Sequence, residues 1–189
     1  KELWLVEMAT TNCQSIMYGY ANSNNSSKIN TGTTDTVATP TGSPISNTDG
    51  KHACKYRGIE NPWGNIWKWC DGISFDGDKV YVCTEPTDYS AGKTTLPYEY
   101  YGTRASSNGF VKTVAPLAEG SLIQYVTAVE GSNATYYCDQ SSKGGIVLQC
   151  GGFYGYSRDA GLWNWDGVNA AVTNTNNLIG GRLCYKPTV

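Results

Sequence analysis

The residue types best suited to molecular recognition are concentrated in one segment, Gly151–Arg182, which reads GGFYGYSRDAGLWNWDGVNAAVTNTNNLIGGR. The segment is rich in Tyr, Trp, Asn, Asp, Ser, Thr and Gly, but it contains no Lys, Glu, Gln or Met. About thirty residues drawn from the chain's own composition would lack all four types with a chance of roughly 2%. Because rigid amphipathic rings beside small polar residues favour recognition, the bias indicates a binding surface. Composition alone is equally compatible with a Gly- and Asn-rich loop.

The residue types that perform catalysis or bind metals are sparse and poorly spaced. The only His is His52, and no two cysteines have the C-x-x-C spacing. A zinc site of the His/Cys type is therefore not expected, and no Ser-His-Asp set can be drawn around His52. Asp71, Asp76 and Asp78 give a weak hint of calcium, but without a full spaced loop and its terminal Glu they indicate solvated turn residues. We therefore predict no catalytic residues, no metal site and no cofactor.

The seven cysteines leave at least one thiol outside any intrachain disulfide. Small buried thiols are favoured over a full disulfide framework, because a cysteine thiol packs like a small apolar group. The disulfide pairs compatible with the sequence are Cys54 with Cys70 or Cys83, and Cys138 with Cys150.

The composition places the chain in a broad structural class. Its 189 residues are sufficient for one domain with a sizeable core. Charged residues make up 16%, and 22 Gly and 14 Tyr indicate a loop-rich domain that contains β-strands. The net charge of −2 without a basic patch argues against nucleic acid as a partner. No apolar run approaches the ~20 residues of a membrane span, so no membrane insertion is expected.

The local patterns predict a single domain over residues 1–189 with an α+β fold of short strands, long irregular loops and few helices. Asn22–Gly50 is low in apolar residues and reads as a surface excursion, and Ala9–Tyr18 could form a helix. Alternation puts Trp67 and Trp69 on one face of a strand and Ile66, Lys68 and Cys70 on the other. Further strands are predicted at a hairpin around Asp76-Gly77 and at Leu122–Val129, Thr135–Cys138, Ile146–Cys150 and Arg182–Tyr185.

Four motifs combine into a family pattern: NPWGNIWKW (Asn61–Trp69), CGGFYGY (Cys150–Tyr156), AGLWNW (Ala160–Trp165) and IGGRLCY (Ile179–Tyr185). Together they resemble the C-type-lectin-fold domains of the formylglycine-generating-enzyme type. The resemblance is closest to the phage and bacterial variable proteins that are diversified by retroelements. It implies a C-type lectin fold with a variable binding segment at 151–182.

The resemblance also implies an origin for the composition bias. Such systems mutate template adenines, commonly in AAY codons, and those codons cannot yield Lys, Glu, Gln, Met or Trp while the third base stays a pyrimidine. In Gly151–Arg182 only Trp163 and Trp165 lie outside the permitted set. Both fit as fixed residues of the frame.

The segment therefore divides into two groups. Small, apolar or turn-forming residues are expected to form a fixed frame, namely Gly151, Gly152, Ala160, Gly161, Leu162, Trp163, Ala170, Ile179, Gly180, Arg182 and Leu183. The remaining side chains are expected to be displayed to a ligand, namely Phe153, Tyr154, Tyr156, Ser157, Arg158, Asp159, Asn164, Asp166, Gly167, Asn169, Thr173 and Asn174. Trp67, Trp69 and Trp163 are more compatible with a core than with a ligand platform.

The resemblance implies a ligand-binding protein that recognises a cell-surface protein or glycan, on a phage virion (tail tip) or a bacterial surface, with homo-oligomerisation as an option. Two alternatives stay open. One is a formylglycine-generating oxidase, although no cysteine pair aligns with the reactive or copper-binding thiols of that class. The other is a structural tail component whose Tyr- and Asn-rich face is covered by another subunit.

Overall fold

The structure, a computed structural model, describes residues 28, 30, 32, 55–56, 59–116, 124–130, 140–142, 145–156, 161–167, 173 and 175–181. These residues contain β-strands and one short 3-10 helix at Pro86–Asp88. The strands are β1 (Lys55–Tyr56), β2 (Ile59–Glu60), β3 (Trp67–Asp76), β4 (Lys79–Val82), β5 (Glu99–Thr103), β6 (Gly109–Pro116), β7 (Gln124–Val129), β8 (Gln140–Ser142), β9 (Val147–Gly151), β10 (Gly161–Asp166) and β11 (Ile179–Gly180).

One mostly antiparallel sheet organises the described part of the chain. Its strands follow the order β5-β4-β3-β9-β10-β8-β6-β7, and β11 also pairs with β3. The pairs β10–β8 and β11–β3 are parallel, and the other pairs of this sheet are antiparallel. A separate two-stranded sheet joins β1 to β2. β3 and β9 are neighbours in this order, so the NPWGNIWKW and CGGFYGY motifs are adjacent although they are far apart in sequence.

Several strand predictions are confirmed. β3 and β4 form the hairpin expected at Asp76-Gly77, with Gly77 at a φ of 56° in the turn. β7 and β9 match the predicted strands at Leu122–Val129 and Ile146–Cys150 to within two residues at each end. The predicted alternation is also confirmed, since Trp69 pairs with Gln149 whereas Lys68 and Cys70 pair with Cys150 and Leu148. The predicted strands at 135–138 and 182–185 lie outside the described residues.

The hydrophobic core lies on one side of this sheet. Its buried members come from most of the strands and from the turns before β3 and after β5, and they are Trp63, Phe75, Val80, Val82, Ala105, Val111, Tyr125, Val126, Leu148 and Trp165. Direct pairing puts opposite residues on the same face of a sheet, so Cys150, which pairs with both Lys68 and Trp165, faces this core. Gln149 and Trp69 face the opposite side.

The α+β class is supported only in its β part. Within the described residues we find no α-helix. Apolar and polar residues alternate there with a period of two, which favours strands, and turns that contain Gly and Asn interrupt the pattern. The candidate helix at Ala9–Tyr18 and most of the excursion at Asn22–Gly50 lie outside the described residues. Within that excursion, the Gly32 amide donates a hydrogen bond of 2.9 Å to the Glu60 carboxylate. No helix in the described ranges is long and apolar enough to cross a membrane.

A glycine holds the irregularity where β3 meets β9. The pairing register shifts between Cys70 and Ser74, and Gly72, within this bulge, adopts a φ of 77°. Its carbonyl accepts a hydrogen bond of 2.8 Å from the Cys83 amide. A Cβ at this position would lie 2.7 Å from the Cys83 carbonyl oxygen and 2.9 Å from the Tyr89 ring. The bulge therefore requires glycine for its backbone angle and for its lack of a side chain.

We expect Gly72→Ala to lower the free energy of unfolding by about 2–4 kcal/mol, because left-handed strain adds to overpacking. Gly181→Ala is the matched control, since a Cβ there meets nothing within 4 Å. Denaturant unfolding measures both variants. Equal stability of Gly72→Ala and wild type would contradict the description of the bulge.

Candidate functional site

Four aromatic rings from two distant motifs form a cluster on the face of the sheet opposite the core. We refer to Trp67, Phe153, Tyr154 and Tyr156 as the aromatic cluster. Tyr156 stands edge-on to Trp67 with ring centres 5.0 Å apart, and Phe153 lies 4.6 Å from Tyr156 and 6.2 Å from Trp67. Tyr154 stands edge-on to Phe153 at 5.4 Å. These separations are those of favourable ring pairs, so each ring is oriented by a neighbour.

The cluster combines a buried base with a partly exposed top. Trp67 is 5% exposed, whereas Phe153, Tyr154 and Tyr156 are each half-buried. The prediction that Trp67 is buried is confirmed, but Trp67 is not part of the main hydrophobic core. It is covered by the rings of Phe153 and Tyr156, two of the residues predicted for display. Trp69 is half-buried, and the side chain of Trp163 lies outside the described residues.

A turn formed by the NPWGN motif supports the chain that carries these rings. Asn61, Gly64 and Asn65 have φ values of 43°, 68° and 60°, so the chain reverses tightly here. The Gly64 amide donates a hydrogen bond of 2.8 Å to the Gly151 carbonyl, and the Tyr154 amide donates one of 2.9 Å to the Asn65 carbonyl. Both bonds are made by backbone atoms, so they position the loop independently of the side chains that it presents.

Two glycines redirect the chain at the point where β9 ends. Gly151 and Gly152 have φ values of 88° and 74°, a region in which other residues are strained. A Cβ on Gly151 would also lie 3.2 Å from the Cα atom of Trp63. The frame role predicted for Gly151 and Gly152 therefore agrees with their geometry.

A second part of the segment lies beside Trp67. β11 runs parallel to the start of β3, with Ile179 paired to Trp67, and the Trp67 amide donates to the Leu178 carbonyl at 2.7 Å. The turn before β11 is fixed by the Asn176 carboxamide, which accepts from the Leu178 amide at 2.7 Å. Thr173, predicted for display, is exposed, and so are Thr175, Asn176 and Asn177. The last three were not predicted for display, although Asn in a turn was an available signal.

Three residues predicted for display are buried instead. Asn164 is 1% exposed, Asp166 is 5% exposed, and Gly167 is also buried. The reason is the position of β10, which lies between β9 and β8 and so has a neighbouring strand on each side. Asp166 pairs with the fully buried Gln149, and strand alternation puts Asn164 on the same face. The prediction that these three residues face a ligand is therefore wrong.

Asp166 contributes to a buried charge arrangement around Arg104. The Arg104 side chain is buried, its Nη2 donates to the Gly77 carbonyl at 3.0 Å, and its Cζ lies 3.8 Å from the centre of the Phe75 ring. Burial lowers the pKa of Arg104, and the carboxylates of Asp78 and Asp166 oppose that shift. Because a guanidinium stays charged at ordinary pH, these carboxylates compensate a buried cation. Arg104 was missed by the sequence analysis because no motif surrounds it.

The remaining display predictions, Ser157, Arg158, Asp159, Asn169 and Asn174, lie outside the described residues. So do Arg182 and the cysteines Cys54 and Cys138. Cys70, Cys83 and Cys150 are present as thiols rather than in disulfides. Each predicted disulfide pair needs one of these three cysteines, so the structure contains none of the predicted pairs. Cys70 and Cys150, each assigned to a different predicted pair, instead lie with their Sγ atoms 2.8 Å from each other. In the described ranges, no three His, Cys, Asp or Glu side chains are grouped so that they could hold a metal ion.

Comparisons with protein-family models, with curated proteins and with solved structures find no match to this chain. The functional interpretation therefore depends on the geometry of the aromatic cluster and its supports.

The burial of Asp166 gives a stability prediction that a displayed side chain would not give. Asp166→Ala leaves the buried Arg104 with less compensating charge, so we expect the free energy of unfolding to fall by about 2–4 kcal/mol. Thr173→Ala, an exposed position in the same segment, should change it by less than about 0.5 kcal/mol. Chemical denaturation of both variants tests this. A displayed Asp166 would make the two variants equally stable.

Proposed function

We propose that this chain is a ligand-binding protein diversified by a retroelement, with a C-type lectin fold and with part of Gly151–Arg182 as its variable surface. The observation that carries the proposal is the aromatic cluster. Phe153, Tyr154 and Tyr156 belong to the segment of biased composition, whereas their support belongs to the NPWGN turn and β3. A fixed support that carries a separate group of partly exposed rings is the arrangement that a variable binding site requires.

The chemistry of the rings supports recognition of a macromolecular surface. Tyr combines a large apolar ring with a hydroxyl group and has only two side-chain torsions to restrict, so it contributes contact area at a low entropic cost. Hot spots of interfaces are enriched in such residues. The described display side chains, Phe153, Tyr154, Tyr156 and Thr173, carry no charge. They favour an apolar or hydroxyl-rich partner, such as a cell-surface protein or a glycan.

The burial of Asn164 and Asp166 narrows the proposed variable surface. Substitution at either position would disturb the layer between β9 and β8, so both are assigned to the frame, together with the buried Gly167. The proposed display set therefore consists of Phe153, Tyr154, Tyr156, Ser157, Arg158, Asp159, Asn169, Thr173 and Asn174. We place the protein on a phage virion or a bacterial surface, where such a site meets its ligand.

The diversification proposal is tested by the DNA that flanks the gene. We expect an imperfect repeat of the sequence encoding Gly151–Arg182 beside a reverse-transcriptase gene. Differences between the repeat and the gene should fall at adenines of codons for the display set. The codons for Asn164 and Asp166 should be identical in repeat and gene. Absence of any repeat, or differences concentrated at those two codons, would contradict the proposal.

The binding proposal is tested with Tyr154→Ala. Tyr154 is half-buried and its ring stands edge-on to Phe153 at the top of the cluster, so we expect its loss to leave the melting temperature within a few degrees of wild type. Labelled full-length protein is applied to intact bacterial cells and to a glycan array. Removal of a hot-spot tyrosine should weaken binding about 30-fold or more.

Tyr100→Ala is the matched control for that experiment. Tyr100 is 56% exposed on β5 and, like Tyr154, stands edge-on to a neighbouring ring, that of Tyr81, at 5.9 Å. It lies two strands away from β3, outside the aromatic cluster. We expect Tyr100→Ala to bind like wild type. Equal loss of binding in both variants, or none in either, would contradict a site at the aromatic cluster.

The oxidase alternative keeps one supporting observation, the contact between the thiols of Cys70 and Cys150. Oxidation of a cysteine-containing peptide to an aldehyde, followed by mass spectrometry, distinguishes the two functions. Turnover that is lost in Cys150→Ala would favour the oxidase over the binding protein.

A further inference from the structure

Two cysteines from distant parts of the chain meet on the core side of the sheet. Cys70 lies in β3 and Cys150 lies in β9, 80 positions apart in sequence. The register pairs Lys68 with Cys150 and Cys70 with Leu148, so the two cysteines are diagonal neighbours on one face. Their Sγ atoms are 2.8 Å apart. Two adjacent paired strands therefore hold the two sulfur atoms in direct contact.

The remaining separation is small compared with what side chains can accommodate. A disulfide bond is about 2.04 Å long, so the sulfur atoms must approach each other by only about 0.8 Å. Both cysteines are half-buried, so a small oxidant has a route to them. Cys83 differs both in its exposure and in the partner of its thiol. It is 4% exposed, and its thiol donates to the Glu85 carbonyl oxygen at 3.6 Å.

We propose that Cys70 and Cys150 form a disulfide when the protein meets a disulfide oxidant, which makes them a modification site at the junction of β3 and β9. One thiolate attacks the oxidant, for example oxidised glutathione, and gives a mixed disulfide and one reduced glutathione. The second thiolate displaces the other glutathione and closes the Cys70–Cys150 bond. The protein loses two electrons and two protons, and the oxidant becomes two thiols.

The location of the bond gives it a structural consequence. Cys150 immediately precedes Gly151 and Gly152, which lead into Phe153 and Tyr154, and Cys70 lies three residues after Trp67. The disulfide would join the strand that supplies the base of the aromatic cluster to the strand that supplies its top. It does not depend on the proposed function, since the bond can form whether or not a ligand binds.

Peptide mapping tests the bond directly, because trypsin places each of the seven cysteines on its own peptide. Residues 69–79 carry Cys70, residues 144–158 carry Cys150, and residues 80–93 carry Cys83. The full chain is equilibrated in oxidised and in reduced glutathione, alkylated with iodoacetamide and digested without reduction. We expect peptides 69–79 and 144–158 to be linked after oxidation and alkylated after reduction.

Two results would overturn the proposal. The first is that both peptides are fully alkylated in oxidised glutathione. The second is that either is linked mainly to another cysteine peptide, such as 52–55 with Cys54 or 113–143 with Cys138. The wild-type protein alone decides between these outcomes, so no variant has to fold for the test to succeed.

Thermal unfolding provides the second measurement. A bond that closes a long loop should raise the melting temperature of the oxidised protein by about 5–15 °C over the reduced protein. The increase in melting temperature should be lost in Cys150→Ala. It should be kept in Cys83→Ala, the control, which removes a thiol directly after β4 and leaves Cys70 and Cys150 in place. An increase that persists in Cys150→Ala would contradict the assignment.

Discussion

The hydrogen bond from the Gly64 amide to the Gly151 carbonyl is the contact on which the candidate site depends. It joins the turn before β3 to the end of β9, and the chain between Gly151 and Tyr154 is then held by a second bond to Asn65. The first bond holds the NPWGN turn against Gly151, the last residue of β9, and the second brings Tyr154 beside the same turn. A loop fixed in this way loses little freedom when a ligand binds, which favours affinity.

The same sheet separates two environments that the composition of the segment cannot distinguish. Leu148 and Trp165 face an apolar core, whereas Gln149, Asn164 and Asp166 form a buried polar layer on the other face. Buried polar groups are tolerated only where partners are arranged around them. Substitution within this layer is therefore more costly than substitution of Tyr154 or Thr173, described residues of the same segment that lie outside its strands.

The sequence predicted the local features that depend on short-range pattern. The hairpin at Asp76-Gly77, the alternation at Trp67–Cys70 and the glycine frame at Gly151-Gly152 were all accessible, because each follows from a few neighbouring residues. The burial of Asn164 and Asp166 was not accessible. It depends on β8 pairing with β10 from the far side, a long-range contact that adjacent residues do not encode. The same holds for Arg104 and for the Cys70–Cys150 contact, which join residues that no motif connects.

The chain that carries Phe153, Tyr154 and Tyr156 is anchored by backbone atoms. This anchoring determines which substitutions these positions can accept. Almost any residue at position 154 retains an amide that can reach the Asn65 carbonyl, so ring, hydroxyl or aliphatic side chains can replace one another there without loss of that bond. Proline is the exception, because it lacks the amide hydrogen. Position 156 is similar, since its amide donates to the Phe153 carbonyl at 3.0 Å. Position 164 is the reverse case: its side chain, not only its backbone, is enclosed by the fold. The same residue type, Asn, therefore has two roles in this segment. At 164 its side chain is enclosed by the fold, and at 176 it is exposed and its carboxamide accepts the hydrogen bond that fixes the turn before β11.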